Sequence, residues 1–277
     1  LNQNEDGLAQ SLSTKNWDVI APFHEKLTQL LRTYYFVGGM PEAVQNYIIN
    51  KNFEEVRTIQ KNIVAGYEND FAKYAPFEIV PKIRMVWQSI LGQLAKENKK
   101  FIYGQIKKGA RAKEFETAIN WLTNAGLLHK CLKINKPTIP LQSYADYDVF
   151  KLYFVDVGLL NAMGGLSEQI LLNKNQILIE FKGALSEQFV AQELILKHEI
   201  FYWTAENATA EIDFVIQKDQ LITPIEVKAE ENLKAKSLKI FENKFQTHNA
   251  TRISMSPHRK EDCLENIPLY GVMSLTI

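Results

Sequence analysis

At 277 residues, 46% of them hydrophobic, the chain can bury a substantial core and can form two domains, or one with an appendage. Lys plus Arg and Asp plus Glu are equal at 32 each, which excludes a global basic field, so a nucleic-acid partner has to be argued from a local patch. The two cysteines, Cys131 and Cys263, lack metal-ligand spacing, which excludes a disulfide framework and a structural zinc site, and no stretch approaches the ~20 apolar residues of a membrane span.

These features point to a reducing cytoplasm, with no membrane partner. The chain opens on Leu1 rather than Met, so a longer protein with preceding sequence is expected. From Val19 to about Tyr74 the pattern is helical: "FHEKLTQLLRTYYFV" repeats apolar residues three and four apart, and "GGMPEAVQNYIIN" restarts after a glycine pair with Pro41 at a helix N-terminus. The prolines of "APFEIVPKI" mark a boundary, giving a helical segment over 1–78.

Over 79–150 the order is a helix with Val86, Ile90 and Leu94 on one side, a short helix, a longer helix, and a strand pair beginning at "LLHKCLKI". The longer helix places Phe115, Ile119 and Leu122 on one face and ends at Gly126. That order describes a winged helix-turn-helix, whose "RAKEFETAINWL" helix would enter a major groove while Lys107, Lys108, Arg111 and Lys113 meet phosphates. A solvated basic turn in a domain used only for packing is the alternative, since Glu114 and Glu116 follow. Residues 151–277 mix strands with two helices, "GALSEQFVAQELIL" and "LKAKSLKIFENKF", and end in the expected strands "TRISMS" and "LYGVMSL". The fold class is therefore a multidomain α/β (α+β) protein.

"EIDFVIQ" and "LITPIEVKA", joined by a short polar loop, form a hairpin. With its mirror point between Asp219 and Gln220, Asp213 faces Glu226 and Glu211 faces Lys228, all on one side, while Ile212, Phe214, Ile216, Ile225 and Val227 fill the other. Opposed carboxylates ~5 Å apart repel unless a cation lies between them. Mg²⁺ or Mn²⁺ suits such oxygens, with room left for water and a substrate phosphate, and Lys228 could serve the attacking water. Glu187 joins from the helix, in line with Val190, Ala191 and Leu194. Two alternatives stand beside this: a solvated hairpin face with a Glu211–Lys228 bridge, and a Glu187 that sits in a first helical turn, favoured by the dipole. An acid, an E-x-K thirteen residues on, and an upstream helical glutamate together resemble the PD-(D/E)xK, restriction-endonuclease-like arrangement. Lys234, Lys236 and Lys239 beyond it are either a phosphate patch or a solvated helix face.

"YYFVGGMPEAV", "WLTNAGLLHK", "KLYFVDVGLL", "GALSEQFVAQEL" and "AEIDFVI…PIEVKA" together resemble, from about residue 20 to the end, the C-terminal region of prokaryotic AAA-family ATPases with an uncharacterised winged-helix plus nuclease-like domain. The resemblance implies an αβββαβ restriction-endonuclease-like core over 151–277, with Glu187, Asp213, Glu226 and Lys228 matching its helix acid, Asp, Glu and Lys. It implies a metal held by Asp213, Glu226 and Glu187, nucleic acid as partner with DNA favoured, and an ATPase module ahead of residue 1. An oligomer is compatible with it. ATP enters only through that missing module, because "GQIKKGAR" has Ala110 and Arg111 where a phosphate loop needs Lys and Ser or Thr. The two functional expectations are a metal-dependent nuclease and a non-enzymatic DNA- or protein-binding module that serves the ATPase.

Overall fold

Local chemistry sets the first helix boundaries. The structure, a computed structural model, describes residues 6–96, 99–168, 179–206, 209–230, 235–261 and 264–276. After α1 (Asp6–Ser13) and the short α2 (Trp17–Ile20), α3 (His24–Val37) stops at Gly38, whose φ of +71° suits glycine. Pro41 opens α4 (Pro41–Asn50), where its missing N–H leaves nothing unpaired, as the sequence predicts. α5 (Phe53–Tyr74) starts on Asn52, whose Oδ1 accepts from the Glu54 and Glu55 N–H groups. α6 (Val80–Leu94), a 3₁₀ turn at Tyr103–Gln105 and α7 (Ala112–Asn124) follow. α7 buries Phe115, Ile119 and Leu122 as expected, with Ala118, and Gly126 at φ +71° closes it.

Then come β1 (Leu128–Ile134), β2 (Ala145–Phe154), α8 (Val157–Met163), α9 (Ile179–Leu194), β3 (Phe201–Thr204), β4 (Glu211–Lys218), β5 (Leu221–Val227), α10 (Lys236–Phe245), β6 (Ala250–Ser254), β7 (Arg259–Glu261) and β8 (Leu264–Pro268). The strands form one mixed sheet in the order β2-β1-β3-β4-β5-β6-β8-β7, so the fold is mixed α/β. The stretch "LYGVMSL", expected as a strand, is instead a 3₁₀ helix (Leu269–Leu275), and the strand lies just before it in β8. Leu269, Val272 and Leu275 recur every three residues, which is the 3₁₀ period rather than strand alternation. Among the described residues no helix is long and apolar enough to cross a membrane.

The chain divides into two compact units built from non-consecutive stretches. One comprises Leu1–Leu31, Cys131–Phe150 and Leu185–Ile277, the other Arg32–Lys130 and Lys151–Ala184. The first holds a core of Trp203, Ile212, Val215, Leu238 and Phe241, with Trp203 edge-on to Phe241 at 5.2 Å. In the same unit Leu12, Ile20 and Leu27 form a smaller cluster under Trp17, Tyr270 and Met273.

The second unit is built on aromatic contacts, with Trp87 4.6 Å from Phe154 and 5.2 Å from Phe71. It also ties off the end of α3 with buried polar groups. Asn161 Nδ2 donates to the Tyr35 carbonyl at 2.6 Å, and Gln60 Nε2 donates to the carbonyls of Phe36 at 2.7 Å and Val37 at 2.9 Å. These are carbonyls that a helix end leaves without partners. Asp156 caps α8 by accepting the Leu159 N–H at Oδ1, and its Oδ2 accepts the Gly39 N–H at 2.7 Å. Burial raises the Asp156 carboxyl above its ordinary value, against the lowering by its backbone donors.

Candidate functional site

The sequence places charge on the β4–β5 hairpin, and the hairpin forms in the expected register. Lys218 pairs with Leu221 and Phe214 with Ile225, so the turn is Asp219–Gln220, with Asp219 in the left-handed region at φ +54°. Continuing that register by one step sets Asp213 opposite Glu226. Glu226 is in turn the Cα partner of Arg252 on β6, and Arg252 of Asn266 on β8. In-register neighbours share a face of the sheet. Asp213, Glu226, Arg252 and Asn266 therefore form one row across four strands.

β4 carries an irregularity that hydrophobic alternation does not show. Phe201 and Trp203 on β3 are two positions apart, but their β4 partners Val215 and Ile212 are three apart. The extra residue is a bulge at Asp213–Phe214, a device that bends a strand and re-aims a side chain. Asp213 turns its carboxylate onto β5, where Oδ2 accepts the Val227 N–H at 2.8 Å. Ile212, Phe214 and Ile225 are fully buried, which anchors the hairpin's apolar side.

Glu226 is 4% exposed, an unusual place for a carboxylate. Its Oε1 lies 2.7 Å from Lys228 Nζ, whose side chain is 33% exposed, while its Oε2 is buried without a hydrogen-bond partner. A buried carboxylate oxygen without a donor is costly, and functional sites are one place where such atoms persist. The Lys228 partner is thus Glu226, and the ammonium reaches solvent.

Glu187 is buried at 7% exposure, on a helix whose residues 184–191 are buried throughout. α9 begins at Ile179, so Glu187 lies in mid-helix and not in a first turn, and the dipole does not account for it. Glu187 does not complete a compact carboxylate triad. Among the described residues no three His, Cys, Asp or Glu side chains are grouped to hold a metal ion.

Arg252 is a site residue that the sequence reading missed. It is 1% exposed, its Nε donates to Asn266 Oδ1 at 2.9 Å, and Ser254 Oγ donates to the same oxygen at 2.8 Å. The Asn266 Nδ2 donates to the Pro257 carbonyl at 2.8 Å, so the asparagine is held from both ends. Burial lowers the Arg252 guanidinium from its ordinary value, the charges of Glu261 and Glu226 oppose that, and Arg259 adds to the lowering. An arginine in the middle of the apolar strand "TRIS" is the sequence signal that marks it.

Lys107, Lys108, Arg111 and Lys113 are all exposed around the start of α7, with Arg111 at its N-cap. Lys236 and Lys239 are exposed on α10, where Lys239 lines a groove together with Glu242 and Glu261. Lys234 lies outside the described residues.

Comparison with known families gives two matches. A domain of unknown function, DUF8612, matches residues 28–170, and a second, DUF4143, matches residues 182–272. Comparison with curated proteins and with solved structures gives no match.

Proposed function

The chain belongs to the DUF8612 family and carries a DUF4143 domain behind it, and on that premise we propose that its C-terminal domain is a divalent-metal-dependent, nuclease-like module of the PD-(D/E)xK kind, acting on or binding DNA in the service of an AAA-family ATPase. DUF4143 is commonly associated with AAA ATPases, which supports that partner. The order α9-β3-β4-β5-α10-β6 is the αβββαβ order such a module requires. The observation that carries the reading is Glu226 Oε2, a buried carboxylate oxygen with no proton donor, beside Asp213 and Lys228.

Hard divalent ions bind through one or two carboxylates and leave their remaining positions to water and phosphate. Asp213 and Glu226 fit that donor set and would hold Mg²⁺ or Mn²⁺, with Glu187 assisting through water. The ion would supply Lewis-acid stabilisation of charge developing on phosphorus. Lys228, fixed by Glu226, would orient the attacking water or meet the charge on the phosphoryl oxygens. Its exposed ammonium is open to a substrate arriving from solvent.

Residues 79–150 are read as a winged helix-turn-helix, supported by the succession of α6, the 3₁₀ turn, α7, β1 and β2 and by the exposed basic residues at the start of α7. Replacing Lys107, Lys108 and Arg111 together by Ala is expected to weaken DNA binding evenly across sequences. The slope of log affinity against log salt should flatten by about 3, close to one per lost phosphate contact. An unchanged slope would remove these residues from the interface.

Titration of Mn²⁺ into the full chain, with Asp213→Asn as control, tests the metal reading. The variant keeps an oxygen acceptor for the Val227 N–H but loses the ligand charge, so Mn²⁺ binding is expected to fall at least ~10-fold with the fold intact. Wild-type affinity in Asp213→Asn would count against the site. A second reading, a DNA- or protein-binding module without chemistry, is favoured by the engagement of Asp213 with backbone and by the absence of a three-carboxylate group among the described residues. Absence of Mn²⁺ binding in both proteins, with and without a phosphodiester present, selects it.

A further inference from the structure

The row on the sheet continues past the hairpin, and its third member is a cation. Glu226 and Arg252 are Cα partners on adjacent parallel strands, 4% and 1% exposed. Arg252 cannot relax into water. Asn266 holds its Nε at 2.9 Å and is itself pinned by Ser254 and by the Pro257 carbonyl. A fixed guanidinium on this row is built into the site, because an isolated buried charge would be strongly destabilising without opposite charge nearby. On the other side of Glu226, Lys228 supplies a second cation at 2.7 Å. Asp213 and Glu226 are thus set against Lys228 and Arg252, while Glu261 and Arg259, the other charges that act on Arg252, pair with each other at 3.2 Å.

We propose that Arg252 is a positioning residue that, with Lys228, holds the two carboxylates at charge balance, so that a divalent cation is retained only together with an anionic phosphate. This rests on the metal reading of the hairpin. A balanced quartet attracts a lone dication weakly, because Glu226 lies between Lys228 at 2.7 Å and Arg252 on the adjacent strand, whose charges offset its attraction. A phosphodiester arriving with the ion would reverse the balance, since its negative charge adds to those of Asp213 and Glu226 and is met by the partly exposed Lys228, while Arg252 stays buried. The buried Glu226 Oε2 is the oxygen kept for that event. The device delays metal capture until substrate is present and makes the two ligands thermodynamically coupled, each tightening the other by the same factor.

The experiment is a calorimetric titration of Mn²⁺ into the full chain, alone and with a saturating phosphorothioate-linked thymidine dinucleotide. It is done for the wild-type protein, Arg252→Gln and Arg252→Lys, with folding of each checked by circular dichroism. In the wild type the dinucleotide is expected to tighten Mn²⁺ at least ~10-fold. Arg252→Gln should bind Mn²⁺ alone ~10-fold more tightly than wild type and show coupling of less than ~3-fold, the order expected for removing one charge at this range in a partly screened site. Arg252→Lys keeps the charge and should behave as wild type. Wild-type affinity and coupling in Arg252→Gln overturn the proposal and leave the metal site standing. If Arg252→Gln does not fold, loss of coupling in a folded Arg252→Lys overturns it equally, because charge would then not be the cause. Mn²⁺ that binds neither the wild type nor any variant, with or without dinucleotide, overturns the metal reading together with the inference.

Discussion

Lys228→Ala is expected to leave Mn²⁺ bound while lowering phosphodiester cleavage by about 10³-fold, the loss typical of removing a positioned proton-transfer or charge-stabilising group. The backbone of residue 228 stays in place through its N–H bond to the Ile253 carbonyl at 2.8 Å, which alanine retains. Truncation removes the ammonium 2.7 Å from Glu226 Oε1 and so frees a second carboxylate oxygen in a site whose Oε2 already has no donor. Because the lysine is one-third exposed, the stability loss is modest, about 1 kcal/mol. The variant therefore separates chemistry from folding and from loss of the metal, since removing a cation beside Glu226 does not weaken Mn²⁺. Cleavage of single- and double-stranded DNA under Mn²⁺, compared between the wild type and Lys228→Ala, is the measurement. Equal rates would remove Lys228 from the chemistry, and absence of cleavage in both proteins would shift the domain to the binding reading. Lys228→Arg is a useful companion, since it restores charge without the compact ammonium.

How much of this is legible without coordinates depends on the kind of signal. The hairpin register follows from counting, because Asp219 and Gln220 are the polar pair between two apolar runs and the side-chain period of a strand leaves no freedom once the turn is placed. Pro41, Gly126 and the apolar face of α7 are equally local and lie where propensity puts them. The bulge in β4 is invisible for the opposite reason. It arises from β3 pairing with β4, residues that nothing in the alternation of "EIDFVIQ" links to "FYWT". Arg252 does not stand out because "TRISMS" reads as an ordinary strand, and its place in the row depends on Glu226 and Asn266, distant in sequence and joined only by the order β5-β6-β8. Glu187 was placed correctly on a helix, but its depth came from α9 starting at Ile179, upstream of the glycine that marked the expected start. The 3₁₀ segment after β8 passes for a strand by its apolar composition, although Leu269, Val272 and Leu275 follow the three-residue period.

Gly158→Ala is expected to destabilise the second unit by about 3 kcal/mol or more. A Cβ at Gly158 would stand 2.7 Å from Gly38 Cα, from Gly38 N and from the Val37 carbonyl oxygen. All three are backbone atoms, so no rotamer change relieves the clash. The Val37 carbonyl is held by Gln60 Nε2 at 2.9 Å, and the neighbouring Gly39 N–H is held by Asp156 Oδ2 at 2.7 Å. Moving the 37–39 segment aside therefore breaks hydrogen bonds to buried side chains, each leaving a polar atom without a partner. Gly38 cannot yield by changing conformation either. It sits at φ +71°, and the Asp156 carboxylate fills the space where a Cβ on it would stand. The glycine pair of "VGGMP" and the glycine of "VDVGLL" are thus one packed contact between the end of α3 and the start of α8, with Asp156 between them. Hydrogen exchange read at the amides of α3, α5 and α8 measures the loss directly, and protection equal to the wild type in Gly158→Ala would show that the contact is looser than these distances require.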